Sequence, residues 1–293
     1  MKQSGIFPER ASFFWAFILN RGKPPIKRAG PLPADYAPTI SVVIPTLNEA
    51  ENLPHVLPRI PDWIDEVLVV DGHSIDNTIE AARELRPDVR IVMQEGRGKG
   101  AALRSGFAAA SGDIIVMLDA DGSTDPAEIP AFVGALIAGA DFAKGSRFVQ
   151  GAGTADMPRY RRFGNWMFVK LVRLFFGGHY SDLCYGYNAF WKDVLPQLEL
   201  DGDGFEIETV MNVRALRAGL KVAEVPSFEA ERVYGIGRLR AIPDGWRVLK
   251  TIFREFGRHI VQKAYRIRPS EKSRTNDSIA ASDGTAVGEI QSV

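Results

Sequence analysis

From Thr39 onward, short apolar runs rich in β-branched residues alternate with stretches whose apolar positions recur every three or four residues. The runs are ISVVIP from Ile40, EVLVVD from Glu66, VRIVM from Val89, DIIVMLD from Asp113 and ADFAKG from Ala140. Between them, residues 49–59, 76–85, 100–110 and 126–138 carry the helical period. Strands that are apolar on both faces belong in the middle of a layered fold, and strand–helix alternation makes the sheet mainly parallel. The pattern therefore predicts an α/β protein, a mixed and mainly parallel sheet flanked by helices.

Beyond Arg147 the alternation lapses. A Gly/Ala-rich loop at 151–156 leads into a basic, aromatic segment with helical spacing at 159–176, and then into SDLCYGYNAFW. A helix is expected around FEIETVMNVRALRAG, capped by Gly219, followed by a strand in KVAEVPSF and a last helix over 243–264. The expected organisation is an N-terminal extension and linker (1–38), a domain over 39–266 with halves at 39–148 and 149–266, and a disordered tail (267–293).

Composition narrows the chemistry. With 45% hydrophobic residues the chain can bury a large core, and Lys+Arg and Asp+Glu are both 36, which argues against a nucleic-acid partner. Charge is uneven, because residues 232–274 hold twelve Lys or Arg against only Asp244, Glu255 and Glu271. One cysteine, Cys184, excludes an internal disulfide, and His55, His73, His179 and His259 lack zinc-site spacing. The most apolar runs are ASFFWAFIL, too short to span a bilayer, and FGNWMFVKLVRLFF, interrupted by Lys170 and Arg173. Neither a spanning helix nor a signal peptide is predicted, and the expected location is cytoplasmic.

Polar groups gather where the predicted strands end: Pro45-Thr46-Leu47-Asn48-Glu49, then Asp71, then Asp119 and Asp121, then Lys144-Gly145-Ser146-Arg147. Ligands of open α/β sheets bind beyond the carboxyl ends of the strands, so these ends point to one site. The glycine run EGRGKGAALRSG fits neither a P-loop nor a dinucleotide fingerprint. It reads as a tight strand-to-helix turn or as a loop turning Lys99 toward a nucleotide. Asp119 and Asp121 read either as surface acids before a helix cap at Asp125, or as ligands of a hard divalent ion whose other positions are filled by diphosphate and water. Glu49 and Asp71 at neighbouring strand ends favour the ion.

Taken in order, PTLNEAENL, VVDGHSIDNT, EGRGKGAALRSGF, MLDADGSTDP, KGSRF, SDLCYGYNAFW, FEIE and RVYGIGRL resemble the family-2 inverting glycosyltransferases of GT-A fold. The likeness, over roughly residues 40–253, is to the branch of dolichyl-phosphate mannose synthase and polyprenyl-phosphate hexosyltransferases. It implies a Rossmann-like GT-A sheet, a nucleotide-sugar-binding half at 39–148 and an acceptor half at 149–266. Pro45, Leu47, Glu49 and Asp71 would line the nucleoside pocket, with Lys99 also on the nucleotide. Asp119 and Asp121 would be the DxD pair holding Mg²⁺ or Mn²⁺, Asp121 as the direct ligand and the Ala120 backbone against the ribose. Arg147, Arg232 and Arg238 would face the diphosphate or the acceptor phosphate. Arg238 stands where the family commonly has Lys, Ser123 where it often has Gln, and Asp71-Gly72-His73-Ser74 where it has DDGS.

The implied reaction moves a hexose from GDP-mannose or UDP-glucose to a polyprenyl phosphate. A phosphate acceptor is already ionised and needs no strong base, whereas a sugar or small-molecule hydroxyl would, and Asp182, Glu206 and Glu208 are the possible bases for that alternative. A non-catalytic scaffold and a nucleotidylyltransferase are the rivals from other classes. Segments 159–176 and 243–264 mix aromatic with basic residues, which suits helices packed on the core or lying on an anionic bilayer, so peripheral contact with the inner face of the cytoplasmic membrane is expected.

Overall fold

The computed structural model describes residues 36–155 and 157–267. The N-terminal extension up to residue 35, Asp156 and the tail beyond residue 267 lie outside the described residues. These fall into two units, one ending at Glu255 and the other starting at Phe256, within the last helix. The second unit contributes the end of that helix, with Ile260 and Val261 exposed.

The first unit is built on a seven-stranded sheet. Its strands are β1 (Ile40–Thr46), β2 (Glu66–Asp71), β3 (Arg90–Met93), β4 (Ile114–Met117), β5 (Phe142–Ser146), β7 (Asn188–Trp191) and β8 (Val222–Pro226), in the order β3-β2-β1-β4-β7-β5-β8. All neighbours pair in parallel except β7, which runs antiparallel to both β4 and β5. The α/β expectation holds, and the order places the ends of β1, β2 and β4 side by side. A small pair, β6 (Gly153–Thr154) with β9 (Phe228–Glu229), sits apart from the sheet.

Residues 49–59 do not make the expected helix. They form two 3-10 turns, Leu53–His55 and Leu57–Arg59. Pro54 and Pro58, four residues apart, each lack the N–H that an α-helix needs at that place. Helices α1 (Thr78–Leu85), α2 (Lys99–Ala109), α3 (Ile129–Ile137), α4 (Arg159–Phe176), α5 (Leu195–Leu198), α6 (Ile207–Ala218) and α7 (Ala241–Ile267) complete the fold. A 3-10 turn, Pro126–Glu128, leads into α3, and the Asp125 carboxylate caps it by accepting the Ala127 N–H at 2.9 Å. Gly219 ends α6 in the left-handed conformation, as its position predicts.

The antiparallel strand β7, NAFW, is absent from the pattern of alternating runs. It has no β-branched residue, and it exists because Phe190 stacks on Phe142 at 5.7 Å and meets Phe107 edge-on at 5.2 Å. A second buried cluster joins Phe168 and Val172 of α4 to Leu183, Val213 of α6, and Val248 and Ile252 of α7. The opposite faces stay in water: Tyr160, Phe163 and Trp166 on α4, and Ile242, Trp246 and Phe253 on α7, are exposed. The amphipathic segments thus both pack on the core and keep aromatic side chains outside it. No helix among the described residues is long and apolar enough to cross a membrane.

Candidate active site at the strand ends

The site begins where each central strand lets go of the sheet. After β1, Asn48 adopts φ 50 and turns the chain so that Glu49 is buried, its carboxylate accepting from Asn52 Nδ2 at 2.6 Å. Pro45 is half-buried in β1 and Leu47 is exposed at the rim. At the end of β2, Asp71 is fully buried. Its Oδ2 accepts the Ser74 N–H at 2.9 Å, while its Oδ1 has no partner. A buried carboxylate oxygen without a donor is costly unless a ligand supplies one. His73 next to it is an exposed turn residue at φ 63.

Strand β4 stops at Met117, two residues before the acidic pair, so Asp119-Ala120-Asp121 is loop. Asp121 Oδ1 accepts from the Ser123 N–H at 3.0 Å and from the Ser123 hydroxyl at 2.7 Å. Asp119 Oδ1 meets the Lys99 ammonium at 2.6 Å, and Lys99 also meets Glu208 of α6 at 2.7 Å. Desolvation pushes the Asp119 carboxyl up to about 6; Lys99 pulls it back, and Asp121 and Glu208 add to the rise. Burial works against the charge of Lys99, but Asp119 and Glu208 outweigh it and hold the ammonium protonated, above the usual lysine range.

The glycine run resolves as a turn. Gly96 and Gly98 take positive φ, and a Cβ on Gly100 would stand 2.2 Å from the Gly202 carbonyl oxygen. The first N–H groups of α2 are satisfied by that neighbour, Gly100 donating to the Asp203 carbonyl at 2.8 Å. Lys99 lies inside the site, its ammonium between the Asp119 and Glu208 carboxylates.

A strap from Ala230 to Arg240 crosses the acidic loop. Ala230 N–H donates to the Ser123 carbonyl at 2.9 Å, Val233 N–H to the Asp121 carbonyl at 3.1 Å, and Tyr234 N–H to Asn52 Oδ1 at 2.8 Å. Gly122, at φ +79, is required beneath it, since a Cβ there would lie 2.7 Å from a Val233 methyl. On the strap, Arg232 reaches Glu49 Oε2 at 2.5 Å and Asp121 Oδ2 at 3.4 Å. Arg238 is exposed. Asn52, Ser74 and Tyr234 carry the site's architecture without having stood out in the sequence, because their partners are distant or backbone.

Arg147 lies deeper than Arg232. Directly after β5, it is buried and turned inward, bound in a fork by Asp182 at 2.7 and 2.9 Å and by Glu229 at 2.9 Å. Burial would lower its pKa, but the two carboxylates raise it above the arginine range and leave its charge neutralised. It ties β5 to the 182 loop and to β9, where the strap begins. Asp182, a possible base, is fully buried; burial alone would raise its carboxyl, yet Arg147 holds it below the usual carboxylate range. Glu206 accepts the Gly204 N–H at 3.0 Å and turns its Oε2 into the protein.

Among the described residues no group of three or more His, Cys, Asp or Glu is gathered for an ion. The acidic pair offers carboxylate oxygens only, which is the donor set of Mg²⁺ or Mn²⁺ when phosphate and water fill the remaining positions. The residues fit such an ion.

Known proteins fall into line with this geometry. The family model "Glycosyl transferase family 2" matches residues 41–198, more than half of the chain. A dolichol-phosphate mannosyltransferase of Pyrococcus furiosus is 34% identical over 75% of this chain and 62% of its own length. A polyprenol monophosphomannose synthase of Mycolicibacterium smegmatis is 35% identical over 72% of this chain and 85% of its own. Among solved structures, the glucosyl-3-phosphoglycerate synthase of Mycobacterium tuberculosis, in complex with Mn²⁺, UDP-glucose and phosphoglyceric acid, superposes with a TM-score of 0.61 at 26% identity, covering 75% of this chain and 80% of that one. Strand ends, acidic loop and family match agree, and the chain belongs to glycosyl transferase family 2.

Proposed function

We propose that this glycosyltransferase moves a hexose, with inversion, from GDP-mannose or UDP-glucose to a polyprenyl phosphate at a membrane surface. An acceptor phosphate oxygen attacks the anomeric carbon, the new C–O bond forms, and the bond to the nucleoside diphosphate breaks on the opposite face. Pro45, Leu47, Glu49 and Asp71 hold the nucleoside, the unpartnered Oδ1 of Asp71 accepting from it. Asp121, with Asp119 behind it, would hold Mg²⁺ or Mn²⁺, which when bound neutralises the leaving diphosphate. Arg232 and Arg238, on the strap, supply positive charge to the phosphates. Arg147 contributes by anchoring the strap through Glu229.

The observation that carries the choice of acceptor is the state of the possible bases. Asp182 is paired with Arg147 and Glu208 with Lys99, and Glu206 gives its Oε1 to the Gly204 N–H. A hydroxyl acceptor would need one of them as a free base; a phosphate needs none. The relatives named for dolichol- and polyprenol-phosphate substrates support the same reading. Membrane contact is supported by the exposed Phe163, Trp166 and Trp246 beside the exposed Arg159, Arg162, Lys170, Arg247 and Lys250.

The test supplies labelled GDP-mannose and UDP-glucose side by side to the purified protein, with Mg²⁺ or Mn²⁺, and with either polyprenyl phosphate in detergent or 3-phosphoglycerate. Label is expected in the organic phase with one donor, and Asp121→Ala is expected to abolish it. Label found only in water-soluble product rejects the lipid acceptor.

A further inference from the structure

Two carboxylates one residue apart have partners of different kinds. Asp121 Oδ1 is held by two neutral donors of Ser123, and its Oδ2 meets only the Arg232 of the strap, at 3.4 Å. Asp119 Oδ1 is held at 2.6 Å by a full positive charge, Lys99, whose own position is fixed in the core. The lysine is rooted in the first turn of α2, where Gly98 and Gly100 lie flush against residues 202–203. It is then shared with Glu208, rooted in α6 and 8% exposed, at 2.7 Å. The Gly186 backbone closes the third side: a Cβ there would stand 2.7 Å from Asp119 Oδ2, 2.9 Å from the Lys99 ammonium and 3.1 Å from Glu208 Oε1. All three groups lie close against the Gly186 backbone on that side.

We propose that Lys99 and Glu208 form a clamp that positions Asp119 and sets how much negative charge it presents to the ion and diphosphate. Lys99 is a positioning residue that touches neither the nucleotide nor the sugar. It fixes Oδ1 and directs Oδ2 to the Gly186 side of the site. Glu208 offsets part of the lysine's charge, so the three groups together carry one net negative charge instead of none. Asp121, with the neutral Ser123 donors on Oδ1 and Arg232 of the strap on Oδ2, would be the direct ligand. This proposal rests on the reading of Asp119 and Asp121 as an ion site.

The clamp makes a prediction in which two substitutions act with opposite signs. Binding of Mn²⁺, with GDP or UDP present, is measured by the loss of the free-ion electron paramagnetic resonance signal. Lys99→Met removes a positive charge beside the site and is expected to tighten Mn²⁺ binding by roughly tenfold; Glu208→Gln removes a negative one and is expected to weaken it by roughly tenfold. The double substitution restores binding to near the original value, and so does Lys99→Arg alone. If both single substitutions weaken binding, or neither changes it, the pair is merely scaffold and the clamp is wrong. Should Lys99→Met fail to fold, Glu208→Gln decides: weaker binding supports the clamp, unchanged or tighter binding overturns it. Asp121→Asn separates this from the underlying reading. Mn²⁺ that binds the unmodified protein and is lost with Asp121→Asn sustains the ion site whatever the clamp does, and no Mn²⁺ binding at all removes both.

Discussion

Arg147 and Arg232 stand at two strand ends and in the sequence invite the same role, yet the fold treats them in opposite ways. Arg147 is 1% exposed and gripped in a fork by Asp182, itself 0% exposed. Arg232 is 16% exposed, lies on a strap held by a few backbone bonds, and spans Glu49 and Asp121 through single contacts. A buried ion pair is expensive to break because the surviving partner keeps its charge in a dry place. A partly exposed arginine on a loop can exchange its carboxylate partners for phosphate oxygens. The difference separates an arginine that builds the site from one that can work in it.

The comparison breaks first at stability. Arg147→Met leaves Asp182 and Glu229 without the guanidinium they share and is expected to destabilise the protein by about 3–5 kcal/mol, read from denaturant unfolding. Arg232→Met is expected to cost less in the same measurement, because Asp121 is 25% exposed and Glu49 keeps the Asn52 Nδ2 donor. An equal loss for both would mean that the strap is as much a part of the core as the 182 loop. On turnover the order reverses among folded proteins: Arg232→Met is expected to lower kcat about a hundredfold by removing charge from the leaving diphosphate. Full turnover in that variant would assign the phosphates to other residues.

The first half of the chain was legible because its strands are continuous β-branched runs and its site acids sit where those runs stop. Glu49, Asp71, Asp119 and Asp121 could be placed at one edge of the sheet from this alone. What escaped depends on partners far away in the chain. Arg147 turns inward because of Asp182 and Glu229, 35 and 82 positions on. Lys99 faces Asp119 because Glu208, 109 positions on, completes its pair. The glycines at 98 and 100 answer to the backbone at 202–203, which no local spacing encodes. Strand β7 is four residues whose pairing partners, β4 and β5, lie far back in the chain. The helix expected over 49–59 fails for a local reason, because Pro54 and Pro58 remove N–H groups that an α-helix needs and the apolar period cannot replace them.

The smallest expected effect tests the buried arginine through its partner. Arg147 holds the Asp182 carboxyl below its ordinary value of 3.8 in the folded protein, against the rise that burial alone would cause. Unfolding frees the carboxyl to bind a proton at that ordinary value, so the unfolded chain takes up more protons as the pH falls toward and below it. The pair's contribution is therefore fully present above about pH 5 and is lost progressively under acid, at about 1.4 kcal/mol for each unit by which the folded value is depressed. Asp182→Asn lacks this titration while keeping the shape. Its unfolding free energy is expected to be lower at pH 7 but to fall less steeply between pH 5 and pH 3 than that of the unmodified protein. Arg232→Met, which leaves the Arg147–Asp182 pair intact, is expected to leave the Asp182 contribution to the acid slope where it was. Parallel slopes for Asp182→Asn and the unmodified protein would show that Arg147 does not draw on Asp182 as its buried counter-charge, and the contrast between the two arginines would then rest on exposure alone.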